Sequence, residues 1–135
     1  MKLLDLYTLP DDRWEVPLAL LREREPHENI SHRTMPTWEQ HCAYIRGRPH
    51  LAWYLIEDDG HDAGCVYLSR QREIGVGVLK AYRGQGLAKA AVRELMRLHP
   101  GRFLANINPH NAASIEMFLR LGFGGPIQVT MEKTA

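Results

Sequence analysis

Two glycines and two cationic side chains stand directly before a helical pattern in residues 79–95, LKAYRGQGLAKAAVREL. Gly84 and Gly86 allow backbone angles that other residues avoid, and they leave the N–H groups of the turn accessible. The helix that begins near Gln85 adds unpaired N–H groups and a positive dipole end, and Arg83 adds a planar cation suited to phosphate. The turn has neither the Gly-Lys-Ser/Thr of a Walker loop nor the G-x-G-x-x-G of a dinucleotide site. These residues alone are consistent with an anion-binding turn and also with a plain tight connection between a strand and a helix.

Hydrophobic periodicity and capping residues divide the chain into strands and helices. Strands are predicted at 2–6, 50–57, 62–69, 73–79, 102–108 and 126–133, and helices at 13–25, 37–46, 85–99 and 111–121. The second and third strands should form a hairpin through the DDG turn at 58–60. Leu98 and Leu119 are expected on the buried faces of the last two helices. The order β-α-α-β-β-β-α-β-α-β predicts an α+β fold, a mixed α/β sandwich, in which the unit over 73–108 forms a right-handed parallel crossover.

Length and composition predict one globular domain over residues 1–135, with 44% hydrophobic and 24% charged residues. The net charge of +1 argues against nucleic acid or a membrane surface as a partner. Cys42 and Cys65 fit free thiols in a reducing compartment, while His32, His41 and Cys42 match no metal-ligand spacing, so no metal is expected. The chain starts without a signal-peptide pattern and has no run near the roughly 20 apolar residues of a membrane span. We therefore expect a cytoplasmic protein and leave a homodimer open.

Two motifs in the second half of the chain resemble those of the GCN5-related N-acetyltransferases, the GNAT family. RGQGLA at 83–88 matches the family signature R/Q-x-x-G-x-G/A, although Lys80, just before it, stands where a proline is common. NAASIEMFLRLGF at 111–123 is similar to the second motif, N-x-x-S/A-I-x-x-Y/F-x-x-L-G-F. The order of elements also matches, so the resemblance covers nearly the whole chain. It implies a GNAT-like fold with a central mixed, mostly antiparallel sheet that splays between its fourth and fifth strands.

The resemblance further implies that the chain binds acetyl-CoA, or another acyl-CoA, as a co-substrate. The pyrophosphate would lie on the turn at 83–88, and the pantetheine arm would pair with the glycine-containing strand at 73–79 as an added strand does. Asn111 and the helix after it would border the other side of the cofactor. The cofactor-binding residues implied in this way are Val76, Gly77, Val78, Arg83, Gly84, Gln85, Gly86, Leu87, Ala88, Asn111, Ser114 and Phe118.

The family moves the acyl group from sulfur to an amine by direct attack, and few residues here are candidates to assist. An alkylamine is only about one part in a thousand neutral at pH 7, so a base is useful. Glu73, at the start of the cofactor strand, is the candidate catalytic base, against the alternative of a solvated strand-end charge. His110 is a second catalytic candidate, against a role in a surface loop. Phe118 replaces the tyrosine that often protonates the thiolate in relatives, so that acid is missing.

The candidate substrate-binding residues lie in two loops or irregular segments. Asn106 and Asn108 flank Ile107 on the splayed strand, where one of them orients a substrate or both satisfy irregular backbone. His32 and Arg33 belong to the long polar loop at 25–36, which overhangs the acceptor site in the family. The alternative is a polar loop that is only solvated and binds no substrate. That loop carries both signs of charge and predicts no clear charge preference in the acceptor.

The preferred interpretation is an N-acetyltransferase that acts on the primary amine of a small molecule, such as an amino sugar. One alternative is a protein N-terminal or lysine acetyltransferase. Another is a CoA-binding regulatory module without turnover, which Phe118 favours because the usual acid is absent.

Overall fold

The computed structural model describes residues 1–24 and 34–134. The strands are β1 (Lys2–Asp5), β2 (Ala52–Asp58), β3 (His61–Leu68), β4 (Glu73–Val78) and β5 (Leu104–Ala105). The helices are α1 (Glu15–Glu23), α2 (Trp38–Arg46), α3 (Leu87–Leu98) and α4 (Ala112–Arg120). Within the described ranges, no helix is long and apolar enough to cross a membrane.

The five strands form one sheet in the order β1-β2-β3-β4-β5. The pairs β1–β2, β2–β3 and β3–β4 are antiparallel, and the pair β4–β5 is parallel. β4 and β5 pair only through Glu73 with Leu104 and Ile74 with Ala105. The predicted mixed, mostly antiparallel sheet is confirmed, and so is the divergence of its fourth and fifth strands.

Alternating side chains of the strands form a separate core on each face of the sheet. On one face Ile56, Val66 and Ile74 pack with Val92 and Leu95 of α3. On the other, Trp53, Leu55 and Cys65 pack with Trp14, beside α1, and Ile45 of α2. Helices therefore cover both faces of the sheet, and the gap between β4 and β5 lies at one edge.

Local signals in the sequence set the start of α2 and the turn between β2 and β3. The Thr37 hydroxyl accepts a hydrogen bond from the Gln40 N–H at 3.2 Å, and the Gln40 side chain accepts one from the Thr37 N–H at 2.9 Å. This capping box satisfies two N–H groups that the helix itself cannot. At the hairpin, Asp59 and Gly60 have φ values of +49° and +77°, as the twist of a tight hairpin favours. The predicted cap and hairpin are both confirmed.

The predicted final strand at 126–133 is wrong. The segment forms neither strand nor helix, and Ile127, Val129 and Met131 are 74%, 80% and 90% exposed. Its alternating apolar residues have the period of a strand, but a strand also needs a neighbour to pair its N–H and C=O groups. In the described part of the chain no strand pairs with this segment.

Three smaller expectations also differ from the structure. The strand predicted at 102–108 is reduced to Leu104–Ala105, because the chain beyond Ala105 no longer pairs with β4. Leu98, in the last turn of α3, is 42% exposed. Leu119 is 53% exposed because it follows Phe118, whose side chain takes the core-facing position on α4.

Candidate active site

The turn after β4 has the backbone geometry of an anion site. Gly84 and Gly86 have φ values of +81° and +75°, and a Cβ atom added to either would meet nothing within 4 Å. α3 begins directly after Gly86, so the turn ends at the unpaired N–H groups and positive dipole end of a helix. Arg83 is exposed here, and its Nε donates a hydrogen bond to the Val78 carbonyl at 3.0 Å. This arrangement favours the binding of a phosphate group.

Two adjoining cavities extend from this turn along β4. The first, of about 200 Å³, is lined by Val78, Tyr82, Arg83, Gly84, Gly86, Leu87, Ala88, Lys89 and Met117. The second, of about 480 Å³, is lined by Val76, Gly77, Val78, Lys80, Arg83, Ala88, Asn111, Ala113, Ser114 and Met117. Because the two share four lining residues, they form one cleft, called the β4–α4 cleft below.

The backbone of β4 can offer hydrogen bonds to a ligand in this cleft. The Leu79 N–H donates to the Ala63 carbonyl at 2.8 Å, at the end of the ladder between β3 and β4. Alternate residues of an antiparallel strand direct their N–H and C=O groups to opposite sides. Val76 and Val78 therefore direct theirs away from β3, at a level where β5 has stopped pairing. An extended ligand with amide groups can add here as a further strand would.

The N-terminus of α4 forms the opposite wall of the cleft. Asn111 caps this helix, and its Oδ1 accepts a hydrogen bond from the Ser114 N–H at 3.2 Å. Both residues line the second cavity. Asn111 therefore contributes to the cleft and to the stability of the helix that bounds it.

The structure brings together all but two of the predicted cofactor-binding residues. Gln85 is exposed on the turn and lines neither cavity. Phe118 is 4% exposed in the core, and its ring lies edge-on to Phe123 at 5.0 Å. Met117, which the sequence interpretation missed, lines both cavities instead. Its position three residues after Ser114, on the same face of α4, is the signal that could have identified it.

Glu73 stands where the gap between β4 and β5 begins. The Asn106 amide donates a hydrogen bond to Glu73 Oε2, and the Ser69 hydroxyl donates to Oε1 at 3.4 Å. The Ser69 hydroxyl also accepts from the Glu73 N–H at 2.9 Å, which fixes the start of the strand. Both side-chain donors are neutral, and a carboxylate has about four acceptor positions. The Glu73 carboxylate is thus held in place with capacity for a water molecule or an amine.

The other predicted site residues do not join Glu73. The His110 N–H donates to Asn108 Oδ1 at 2.9 Å in the loop before α4. The His110 side chain is exposed and lines neither cavity. His32 and Arg33 lie outside the described residues.

Neither cysteine is placed to act as a nucleophile in the cleft. Cys42 and Cys65 are both buried free thiols, and burial raises the pKa of the Cys65 thiol. A protonated, buried thiol is inert, so Cys65 is not a candidate nucleophile for this cleft. Among residues 1–24 and 34–134, no group of three or more His, Cys, Asp or Glu side chains could hold a metal ion.

Comparison with known proteins places this geometry in context. The profile of the acetyltransferase (GNAT) family matches residues 5–123, whereas no curated protein matches significantly. The chain is similar to an N-acetyltransferase from Staphylococcus aureus Mu50, with 19% identity, a TM-score of 0.71, and coverage of 90% of this chain and 82% of the other.

Two further solved structures show the same fold. A ribosomal-protein-alanine N-acetyltransferase from Brucella melitensis has 21% identity and a TM-score of 0.72, with 90% of this chain and 83% of that chain covered. A structure from Salmonella typhimurium, described as an acetyltransferase with its cofactor acetyl-CoA, has 19% identity and a TM-score of 0.67. The match covers 91% of this chain and 80% of the Salmonella chain.

Proposed function

Because the chain belongs to the GNAT family of acetyltransferases, we propose that it transfers an acetyl group from acetyl-CoA to the primary amine of a small molecule. The observation that carries this proposal is the β4–α4 cleft. It joins an anion-binding turn and a strand edge with backbone groups directed into the gap, and the Glu73 carboxylate lies outside its lining, at the paired end of β4.

The residues of the cleft fit acetyl-CoA. The open glycine turn with Arg83, Lys80 and Lys89 around it suits the negatively charged pyrophosphate. The N–H and C=O groups of Val76 and the N–H of Val78 suit the amides of the pantetheine arm, while the Val78 carbonyl accepts from Arg83 Nε. When bound, acetyl-CoA supplies a thioester, whose carbonyl carbon is electrophilic and whose sulfur is a fair leaving group.

Two groups of this chain are positioned to assist the attack of an amine. Whichever N–H of Val76 and Val78 the pantetheine arm leaves unpaired stabilises the negative charge that develops on the carbonyl oxygen, since a preorganised donor costs no rearrangement during the reaction. Glu73 accepts the proton that the amine must lose, directly or through a water molecule. The C–N bond forms, the C–S bond breaks, and CoA leaves as a thiolate that takes its proton from water. Finding the amine in its neutral form at pH 7 costs about 4–5 kcal/mol, which is why a nearby base raises the rate.

The packing around β4 supports a small acceptor. Glu73, Gly75 and Gly77 direct their side-chain positions to the face that carries α1 and α2. A Cβ atom on Gly77 would lie 3.2 Å from Leu20 of α1, and one on Gly75 would overlap the ring of Tyr67. Among the described residues, Leu20 and Tyr67 therefore cover this face of β4 at Gly77 and Gly75. A strand covered in this way suits a small amine better than a folded protein surface.

The experiment that tests the proposal measures thiol release from acetyl-CoA in the presence of single amines. Glucosamine, phenethylamine, Nα-acetyl-lysine and a peptide with an N-terminal alanine together represent small-molecule, lysine and N-terminal acceptors. We expect release that depends on a small amine, with an acetylated product of matching mass. Fastest turnover of the alanine peptide or of Nα-acetyl-lysine would instead favour a protein acceptor. Tight binding of CoA in calorimetry without release by any amine would favour a regulatory CoA-binding module.

A further inference from the structure

The side chain of Tyr67 lies across Gly75, beside the gap. Tyr67 on β3 pairs directly with Gly75 on β4. A Cβ atom on Gly75 would lie 2.1 Å from the ring carbon Cζ of Tyr67 and 2.4 Å from its hydroxyl oxygen. Only a glycine therefore permits this position of the ring. The hydroxyl group lies over β4, the strand that borders the gap. It is on the same face of the sheet as Glu73, which precedes Gly75 by two residues.

Neighbouring rings hold Tyr67 in this position. The His50 ring stacks on the Tyr67 ring with 3.9 Å between centroids and an angle of 7°. Trp53 packs edge-on against Tyr67 at 6.1 Å. His50 is held in turn by Tyr7, whose hydroxyl donates to the His50 carbonyl and accepts from the His50 N–H, both at 3.0 Å. Burial raises the pKa of Tyr7, so this hydroxyl stays protonated and keeps its donor.

We propose that the Tyr67 hydroxyl binds the acceptor amine of the reaction, next to Glu73. This inference rests on the proposed acetyltransferase function and adds a residue to its acceptor site. Two observations carry it: the glycine that admits the ring over β4, and the stacked histidine that fixes the ring there. In the reacting geometry the amine directs its lone pair to the carbonyl carbon, and one N–H donates to the Tyr67 oxygen.

The chemistry of the phenol suits this role. A hydroxyl offers one donor and two acceptor positions, so Tyr67 can accept from an amine while it keeps another hydrogen bond. Glu73 precedes Gly75 by two residues of β4, which is roughly 7 Å of strand. An amine between the two groups can donate one N–H to the phenol while Glu73 removes its other proton. The phenol itself undergoes no net proton transfer, because it serves only to orient the nitrogen.

The test compares Tyr67→Phe, which keeps the ring and removes the hydroxyl, with Tyr44→Phe as a matched control. Tyr44 is 48% exposed and belongs to the same aromatic cluster, 6.1 Å from Trp53. The probe is the amine of the four above with the highest kcat/KM. Loss of one hydrogen bond predicts an amine kcat/KM lower by about 2- to 12-fold in Tyr67→Phe. The KM for acetyl-CoA should be unchanged, the melting temperature should fall by no more than the loss of one hydrogen bond explains, and Tyr44→Phe should match the wild type.

A second measurement does not depend on turnover. The dissociation constant of the same amine for CoA-loaded protein, measured by calorimetry, should rise by a similar factor in Tyr67→Phe only. Wild-type values in Tyr67→Phe would overturn the inference, and so would equal losses in both variants or a loss that follows the melting temperature. If the wild type binds CoA but turns over no amine, the proposed function itself fails, and the acceptor role fails with it.

Discussion

Gly86, the residue before α3, offers the most direct test of the anion-binding turn. Its φ of +75° lies in the left-handed region, and a Cβ atom there would contact nothing within 4 Å. Gly86→Val therefore creates no clash in the unbound protein. It does place two methyl groups in the open space at the start of α3, where the pyrophosphate of CoA would lie. We therefore expect Gly86→Val to weaken the binding of CoA while the protein still folds.

The two effects have different expected sizes. A residue with a side chain in the left-handed region costs roughly 1–2 kcal/mol. For a chain of 135 residues, this lowers the melting temperature by roughly 4–7 °C. Loss of a charge-assisted hydrogen bond from the turn to a phosphate costs about 1.5–3 kcal/mol, which corresponds to about 10- to 150-fold weaker CoA binding. The affinity for CoA should therefore fall by more than the backbone strain at residue 86 alone can explain.

Gly122, which follows α4, provides a matched control. Its φ is +94°, an added Cβ would also meet nothing within 4 Å, and it lines neither cavity. Calorimetry should show Gly122→Val binding CoA like the wild type, although its melting temperature falls as in Gly86→Val. Pantetheine, which lacks the pyrophosphate, should bind all three proteins alike. Equal CoA affinity in Gly86→Val and the wild type would refute the placement of phosphate on this turn.

Two other substitutions test the two ends of the cleft. Asn111→Ala removes a helix cap worth about 0.5–2 kcal/mol. Because Asn111 also lines the cleft, we expect the KM for acetyl-CoA to rise severalfold. An unchanged KM with a large drop in melting temperature would make the residue a structural cap only. Glu73→Gln should lower kcat by about 10²–10⁴-fold near pH 7, and the deficit should shrink as the pH approaches the amine pKa near 10.4. A pH–rate profile that coincides with that of the wild type would exclude Glu73 as the base.

Local signals in the sequence were sufficient for the parts of the fold that depend on a few adjacent residues. Thr37 and Gln40 specify the start of α2, and Gly84 and Gly86 specify the turn before α3, because capping and positive φ are properties of short segments. The failed strand at 126–133 shows the limit of such signals. A period of two is a local property, whereas pairing requires a second strand that the sequence does not identify.

The sequence also could not predict contacts between residues that are far apart in the chain. Tyr67 meets Gly75 because of the register between β3 and β4, and a shift of one residue would place the two on opposite faces. In the sequence, Gly75 is one glycine of the predicted strand at 73–79, and nothing there indicates which ring covers it. Phe118 illustrates the reverse case. Its motif position predicted a role beside the cofactor, and its packing against Phe123 places it in the core.

The short pairing between β4 and β5 has a mechanical consequence. β5 consists only of Leu104 and Ala105, and both residues pair with β4, at Glu73 and Ile74. Beyond this pairing, the edge of β4 has no ladder partner in the described part of the chain. A long flexible molecule can therefore lie along that edge without displacing a strand, while β1 to β4 keep their register. The fixed end acts as a stop that sets how far the molecule can advance.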